Sequence, residues 1–195
     1  MGRFIKKIFN WFKMERDNYP QVRIASIIMN DLSVLLGEVK TGSENGTWMF
    51  PWHEMKIREN YYKTFFSGLW EDLGFRCTNV FVPYSDRQSP MAITNDIFPE
   101  EHYLTLFHRG IYTLGKSTLG SKNKEKYKNF NWFKWADLVK VLEEKNNLPI
   151  NLLNGPQYSL ASPPPLSLSI KNFLQQGHNP WNDLEIPEKL RKSGC

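Results

Sequence analysis

The sequence predicts an α/β domain in which a mixed β-sheet is sandwiched between α-helices. Its elements follow one another as a strand hairpin, a helix, further strands and two more helices, an order that suits a sheet covered on both faces. The length of 195 residues is enough for one such domain with extensions at its ends. The 41% hydrophobic and 14% aromatic content is that of a globular protein and excludes a disordered chain.

The domain opens with a predicted hairpin of two strands. Residues 22–29 are rich in β-branched side chains, which is typical of a buried strand. Asn30 and Asp31 form a turn signal, and residues 33–39 return as the second strand.

The central helix is predicted within residues 51–75, where it ends at Gly74. Residues three and four apart share one face of a helix, so this segment has a polar face and an apolar core face. The polar face carries Thr64, Gly68, Glu71 and Asp72, and the core face carries Tyr62, Phe65, Phe66, Leu69 and Leu73.

The second half of the chain predicts the remaining strands and helices. These are a strand at 75–84, an irregular loop at 85–98, a long strand at 102–112, a basic loop at 115–128, a strand from 131 running into a helix at about 135–145, and a final helix at 165–176. His102 and His108 share one face of the long strand and are expected to be a polar pocket wall or core histidines.

The resulting domain spans residues 21–177, with a basic amphipathic helix at 1–16 before it and a tail at 178–195 after it. In the first helix apolar side chains recur at helical spacing among basic ones. The apolar set is Phe4, Ile5, Ile8, Phe9 and Phe12, and the basic set is Arg3, Lys6, Lys7 and Lys13. Three interpretations stay open: binding to an anionic membrane surface, a targeting presequence, or packing onto the domain itself.

The stretch from Trp48 to Phe75 resembles the Nudix hydrolase family. Trp48-Met49-Phe50-Pro51 is similar to the family's W-x-F-P turn, and the family's box G-x5-E-x7-R-E-U-x-E-E-x-G-U, with U aliphatic, fits without a gap from His53 to Phe75. Resemblance over about residues 21–177 implies the Nudix fold. It also implies hydrolysis of a diphosphate linked to another group, with divalent cations held by helix carboxylates.

The resemblance also implies where the chemistry is located. Glu71, Asp72 and Glu59 take the catalytic acidic positions, and Glu71, Asp72 and Glu125 are the metal-binding candidates, with Mg²⁺ or Mn²⁺ as the cofactor. Glu125 has a second interpretation, a solvated charge in a Lys-rich loop.

Four positions depart from the family pattern. Ser67 and Gly68 stand where the box has Arg and Glu, so one metal-binding carboxylate is absent from the middle of the polar face. Trp52 and His53 replace small residues at the box entrance, where they would either stack on a ligand or plug the site. We therefore expect a domain that binds a nucleoside-diphosphate-type ligand or a partner, with hydrolysis weak or lost. The alternatives are an active pyrophosphohydrolase and a module associated with a membrane surface.

Charge and cysteine content add two expectations. The net charge of +5 favours anionic ligands such as nucleotides, or an anionic membrane. Cys77 and Cys195 are the two cysteines, a number that supports neither a disulfide framework nor a zinc site, so an intracellular, reducing location is expected, most simply the cytoplasm. The sequence leaves the oligomeric state open.

Overall fold

The computed structural model describes residues 19–113, 123–146 and 165–184. The predicted helix at 1–16 lies outside the described residues, as does the end of the tail from residue 185. The elements are β1 (Gln21–Asn30), β2 (Ser33–Val39), β3 (Trp48–Met49), β4 (Trp52–Glu54), α1 (Tyr61–Leu73), β5 (Val80–Phe81), β6 (Ala92–Ile97), β7 (His102–Tyr112), β8 (Tyr127–Lys134), α2 (Trp135–Asn146) and α3 (Leu168–Gln175).

The strands form one mixed sheet with β1 and β7 at its centre. These two run parallel, from Gln21 opposite Tyr103 to Met29 opposite Ile111, and the other strand pairs are antiparallel. The order is β3-β2-β1-β7-β5, with β4 beside the first half of β1, β6 beside the first half of β7, and β8 beside β2. The predicted α/β class with a mixed sheet is confirmed.

Helices cover both faces of this sheet. Side chains alternate along a strand, so Ile24 and Ile28 of β1 face the layer of α1, whereas Ile27 and Met29 face the layer of α2 and α3. Because both faces of β1 are covered, its residues from Arg23 to Asn30 are continuously buried rather than alternately buried and exposed. Among the described residues no helix is long and apolar enough to cross a membrane.

Helix α1 has a defined beginning and end. The Asn60 side chain accepts a hydrogen bond from the Lys63 backbone N–H at 2.8 Å, which satisfies one of the free donors of the first turn. Gly74 adopts a left-handed conformation with φ of 72°, and the Phe75 N–H then donates to the Leu69 carbonyl at 3.2 Å. These caps fix which residues of α1 face the sheet.

Two predicted segments differ from the structure. The predicted strand at 75–84 is reduced to Val80–Phe81, because a 3₁₀ turn precedes it and Pro83, which has no N–H, follows it. The predicted loop at 85–98 contains β6, whose residues are alternately buried and exposed. Its inward-facing residues include polar ones, so the alternation of hydrophobic and polar residues that normally indicates a strand is absent from its sequence.

A buried ionic network explains those polar residues of β6. The fully buried Arg23 guanidinium of β1 donates to Asp96 at 3.2 Å, to Glu44 at 3.0 Å and to the Thr105 hydroxyl at 2.8 Å. Asp96 also accepts from Asn172 of α3 at 2.8 Å, so the network joins β1, β6, β7 and α3. Burial raises the pKa of Glu44, and the Arg23 charge opposes that shift.

A second buried arginine holds the chain after α3 against the sheet. Arg109 of β7 forms an ion pair with Asp86 and donates to the carbonyl oxygens of Pro180 at 2.9 Å and Asn182 at 2.6 Å. The Trp181 indole donates to the Asp31 carbonyl at 3.0 Å. The described part of the predicted tail therefore packs onto the domain, and the boundaries 21–177 and 178–195 stay predictions.

Candidate functional site

The candidate site lies on the polar side of α1, at its C-terminal half. Thr64, Gly68 and Asp72 follow one another at intervals of four residues and are all buried. Asp72 is fully buried, whereas the side chain of Glu71 is 58% exposed. The two predicted acidic residues therefore occupy different environments within one turn of the helix.

His53 fills the space next to Gly68. A Cβ atom added at Gly68 would lie 2.3 Å from His53 Cδ2 and 3.2 Å from His53 Cβ, distances that a real side chain does not tolerate without movement of its neighbour. His53 belongs to β4, whose pairing with Ile24 of β1 restricts that movement. The imidazole thus occupies the space that a side chain at position 68 would need.

The buried carboxylate of Asp72 is surrounded by nitrogen atoms. Lys126 Nζ lies 3.3 Å from Asp72 Oδ2, and Asn123 Nδ2 donates to Oδ1 at 3.2 Å. His53 Nε2 is 3.3 Å from the same Oδ1, but outside hydrogen-bonding geometry. Because an ammonium already compensates its charge, Asp72 is held as one member of a buried ion pair.

The Lys126 ammonium is tied to the site by more than this one contact. It donates to the Trp52 carbonyl oxygen and lies 4.0 Å from the centre of the Trp52 ring, within range of a cation–π interaction. Burial lowers the pKa of Lys126, and the charge and hydrogen bond of Asp72 oppose that shift. These contacts place the positive charge of Lys126 beside the carboxylate.

A divalent cation does not fit these residues as they stand. Mg²⁺ requires oxygen ligands in near-octahedral geometry, yet both oxygens of Asp72 contact nitrogen atoms, and Gly68 supplies no ligand. In the described residues no group of three or more His, Cys, Asp or Glu is arranged to hold a metal ion.

The other predicted site residues are not gathered around Asp72. Glu59 accepts from the Thr64 hydroxyl at 3.0 Å and pairs with Lys63 at 3.4 Å, and the Thr64 bond is the main reason why the pKa of Glu59 is lowered. Thr64 is separated from Asp72 by eight residues, about 12 Å along the helix. Glu125 is exposed in the turn before β8, and it is the next residue, Lys126, that reaches Asp72.

Ser67 and Trp52 make contacts within the domain. The Ser67 hydroxyl donates to the Lys63 carbonyl at 2.9 Å, one turn back in its own helix. The Trp52 ring has Lys126 Nζ over it at 4.0 Å and Arg23 Cζ at 5.3 Å, and its backbone N–H donates to the Tyr127 hydroxyl at 2.9 Å. The Trp52 side chain therefore packs against two basic residues of its own domain, Arg23 and Lys126.

Sequence reasoning missed Lys126 and Asn123. The available signal was electrostatic: a buried Asp72 requires a positive charge nearby, and the predicted basic loop at 115–128 offers five lysines, Lys116, Lys122, Lys124, Lys126 and Lys128. Only the structure shows that Lys126 turns inward.

No model of a known protein family matches the sequence. Solved structures do resemble the chain, however, and they include hydrolases. A MutT NUDIX hydrolase from Burkholderia pseudomallei superimposes with a TM-score of 0.55 at 17% identity, over 82% of this chain and 98% of that one. The chain has a Nudix-like fold. A C. elegans Ap4A hydrolase in a binary complex gives a TM-score of 0.51 at 10% identity, over 62% and 85% of the two chains.

At these identities the similarity establishes the Nudix-like fold and leaves the chemistry to the residues of this chain. The segment from β4 to the end of α1, which the sequence resemblance aligns with the Nudix box, places Gly68 against His53 and holds Asp72 in an ion pair with Lys126 of the turn before β8.

Proposed function

We propose that this chain is a Nudix-like domain that binds a nucleoside-diphosphate-type ligand or a partner, and that metal-dependent pyrophosphate hydrolysis by it is weak or lost. The observation that carries the proposal is the Lys126 ammonium 3.3 Å from the buried Asp72 carboxylate. A cation bound at Asp72 would have to displace Lys126 and also lacks a ligand at position 68. Both requirements oppose the assembly of a catalytic metal centre.

We infer the class of ligand from the fold of the domain and from the net charge of the chain. The fold neighbours include an Ap4A hydrolase, whose substrate contains phosphates bridging two nucleosides. The net charge of +5 favours an anionic ligand. An intracellular location in a reducing compartment belongs to the same proposal, since Cys77 is an exposed free thiol.

The first experiment measures turnover. Purified full-length protein is incubated with nucleoside diphosphate derivatives, dinucleoside polyphosphates and nucleotide sugars, with Mg²⁺ or Mn²⁺, and formation of the nucleotide products of pyrophosphate-bond cleavage is followed by chromatography. We expect rates far below the roughly 1–10 s⁻¹ of ordinary enzymes. Turnover within that range, abolished by Glu71→Gln, would show an active hydrolase and refute the proposal.

The second experiment measures binding without chemistry. A ligand that binds only the folded state raises its stability by an amount that grows with ligand concentration over Kd. We expect at least one anionic nucleotide to raise the melting temperature in the absence of divalent cations. If no nucleotide of the panel changes the melting temperature, a nucleotide-type ligand is refuted and a protein partner remains as the proposed ligand.

A further inference from the structure

An open cavity lies between helix α1 and the edge of the sheet at β5. Its volume is about 440 Å³, and sites for small molecules usually measure about 300–1,000 Å³. The walls are mainly apolar, and they come from α1, from β5 and from the turns on both sides of β5. A concave, mostly apolar surface with a few polar groups is typical of a binding site for a small molecule.

The cavity is separate from the candidate site around Asp72. Phe65 and Leu69 of α1 face the sheet. Gly68 lies on one side of this apolar stripe and Phe66 on the other, because successive residues of a helix are rotated by about 100°. Gly68 contacts β4, which pairs with β1, whereas the cavity adjoins β5, which pairs with β7. A ligand in the cavity therefore does not depend on the function proposed for the candidate site.

The aromatic wall of the cavity belongs to α1. Tyr62 and Phe66 lie one helical turn apart, and their rings pack edge to face with centroids 5.0 Å apart. Both side chains are half-buried, so part of each ring stays accessible beside the buried Val80 and Val82. Aromatic and aliphatic surfaces of this kind bind a flat apolar body, because binding removes apolar area of both partners from water.

Among the described residues that line the cavity, Arg87 is the only charged one. It ends the 3₁₀ turn Ser85–Arg87, in which Asp86 is fixed by its ion pair with the buried Arg109. Arg87 Nε donates to the Val82 carbonyl at 3.4 Å, and no carboxylate in the described part of the chain pairs with its two Nη atoms. A guanidinium in this position favours an anionic group, to which it can donate two parallel hydrogen bonds.

The opposite rim is fixed by hydrogen bonds around the 3₁₀ turn Cys77–Asn79. The Asn79 side chain accepts from the Arg76 backbone N–H at 2.7 Å, and the Asn79 carbonyl accepts from the Thr113 backbone N–H at 3.0 Å. The Thr113 hydroxyl donates to the same carbonyl at 3.2 Å. Because contacts within the domain hold both rims, the cavity exists before a ligand binds, and binding carries little cost of ordering the protein.

We propose that this cavity binds a small molecule with an aromatic body and one anionic group, such as a carboxylate, a sulfonate or a phosphate. The body packs on Tyr62, Phe66 and Val80, and the Arg87 guanidinium donates hydrogen bonds to the anion. Thr78, which is exposed and lines the same cavity, adds a hydroxyl group as a further donor.

The first test measures the binding of anilinonaphthalene sulfonate, a fluorescent aromatic anion, to the native full-length protein. In Arg87→Gln we expect Kd to rise at least about tenfold, because the charge-assisted hydrogen bonds to the sulfonate are lost. The matched control is Arg58→Gln, a change at an exposed arginine in the turn before α1 that does not line the cavity. Its Kd should stay within about twofold of wild type. Equal affinities of wild type and Arg87→Gln, or equal losses in the two variants, would overturn the proposal.

Phenylnaphthylamine, which has the same rings without the sulfonate, tests the role of the charge. The aromatic wall predicts that it binds, and Arg87→Gln should leave its Kd within about twofold of wild type, since a neutral ligand forms no ion pair with the guanidinium. If Arg87→Gln weakens both probes equally, Arg87 does not act on the anion and the proposal fails.

Alkylation of Cys77 by iodoacetamide shows where the anionic probe binds. Cys77 is an exposed free thiol that lines the cavity, and peptide mass spectrometry follows its modification. At a probe concentration of about ten times Kd, about nine-tenths of the sites are occupied, so alkylation of Cys77 should slow about tenfold. Arg87→Gln at the same probe concentration is the control, in which we expect most of this protection to be lost. Fluorescence that reports binding while Cys77 reacts at its free rate would place the probe elsewhere and refute the site.

Discussion

Replacement of Lys126 by Met removes the positive charge from the candidate site and keeps most of the side-chain volume. Asp72 is fully buried and the Lys126 side chain is 16% exposed, so the change leaves a carboxylate without its compensating cation in a dry environment. Breaking a buried ion pair by removal of one partner costs about 3–5 kcal/mol. Because the hydrogen bond from Asn123 to Asp72 persists, we expect a loss near the lower end of that range, about 3 kcal/mol.

The assay is urea denaturation at neutral pH, in which stability is obtained from the midpoint and the slope. The matched control is Lys128→Met, two residues later and within β8. Lys128 is 46% exposed and pairs with Glu38 at 2.9 Å, and surface pairs of this type contribute about 0–1 kcal/mol. A loss for Lys126→Met that exceeds the control by about 2 kcal/mol would therefore reflect burial of the pair.

The double variant Lys126→Met/Asp72→Asn decides whether the charge of Asp72 is the cause. Asn is isosteric with Asp and neutral, so the double variant is expected to recover at least about 1 kcal/mol of the loss, the coupling typical of contacting residues. A Lys126→Met variant no less stable than Lys128→Met, or a double variant less stable than Lys126→Met alone, would refute the assignment of Lys126 as the internal cation.

Two further predictions concern His53 and His108. Gly68→Ala removes a mid-helix glycine, which by helix propensity alone would stabilise the protein by about 1 kcal/mol. In the wild-type background the added methyl group overlaps with His53, so we expect the substitution to destabilise the protein by about 1–3 kcal/mol instead. In a His53→Gly background the same substitution should stabilise, and thermal denaturation of the four proteins checks the reversal. Burial lowers the pKa of His108 from 6.5 to about 4, against the charge of Asp86, so its contribution to stability is complete above pH 6.5 and is lost as the pH falls towards 4. Between about pH 7 and pH 5 wild type should lose about 2 kcal/mol more than His108→Phe in urea denaturation, and parallel losses would contradict this.

The sequence predicted the layers of the fold because its helices and central strands follow strong periodic patterns. The core face predicted for α1 is the one that packs on the sheet, with Phe65, Leu69 and Leu73 buried. Strand β6 was missed because its inward positions include Thr94 and Asp96, which are polar. A polar side chain on the core face is stable there only if partners exist, and the partner of Asp96, Arg23, lies 73 residues away in sequence.

Helical spacing predicted that Gly68 and Asp72 lie on one side of α1, and the structure places them there. The occupant of that side comes from two other elements, His53 of β4 and Lys126 of the turn before β8. No local pattern specifies which of several lysines turns inward, because that choice depends on tertiary contacts.

The geometry of α1 explains why Asp72 needs a partner from elsewhere in the chain. The spacing of Thr64, Gly68 and Asp72 is set by the apolar positions between them, since Phe65 and Leu69 must reach the sheet. Glycine at position 68 leaves room that His53 fills, so the neighbouring position of α1 supplies no group to Asp72. The buried charge of Asp72 is instead compensated by the ammonium of Lys126, which comes from the turn before β8.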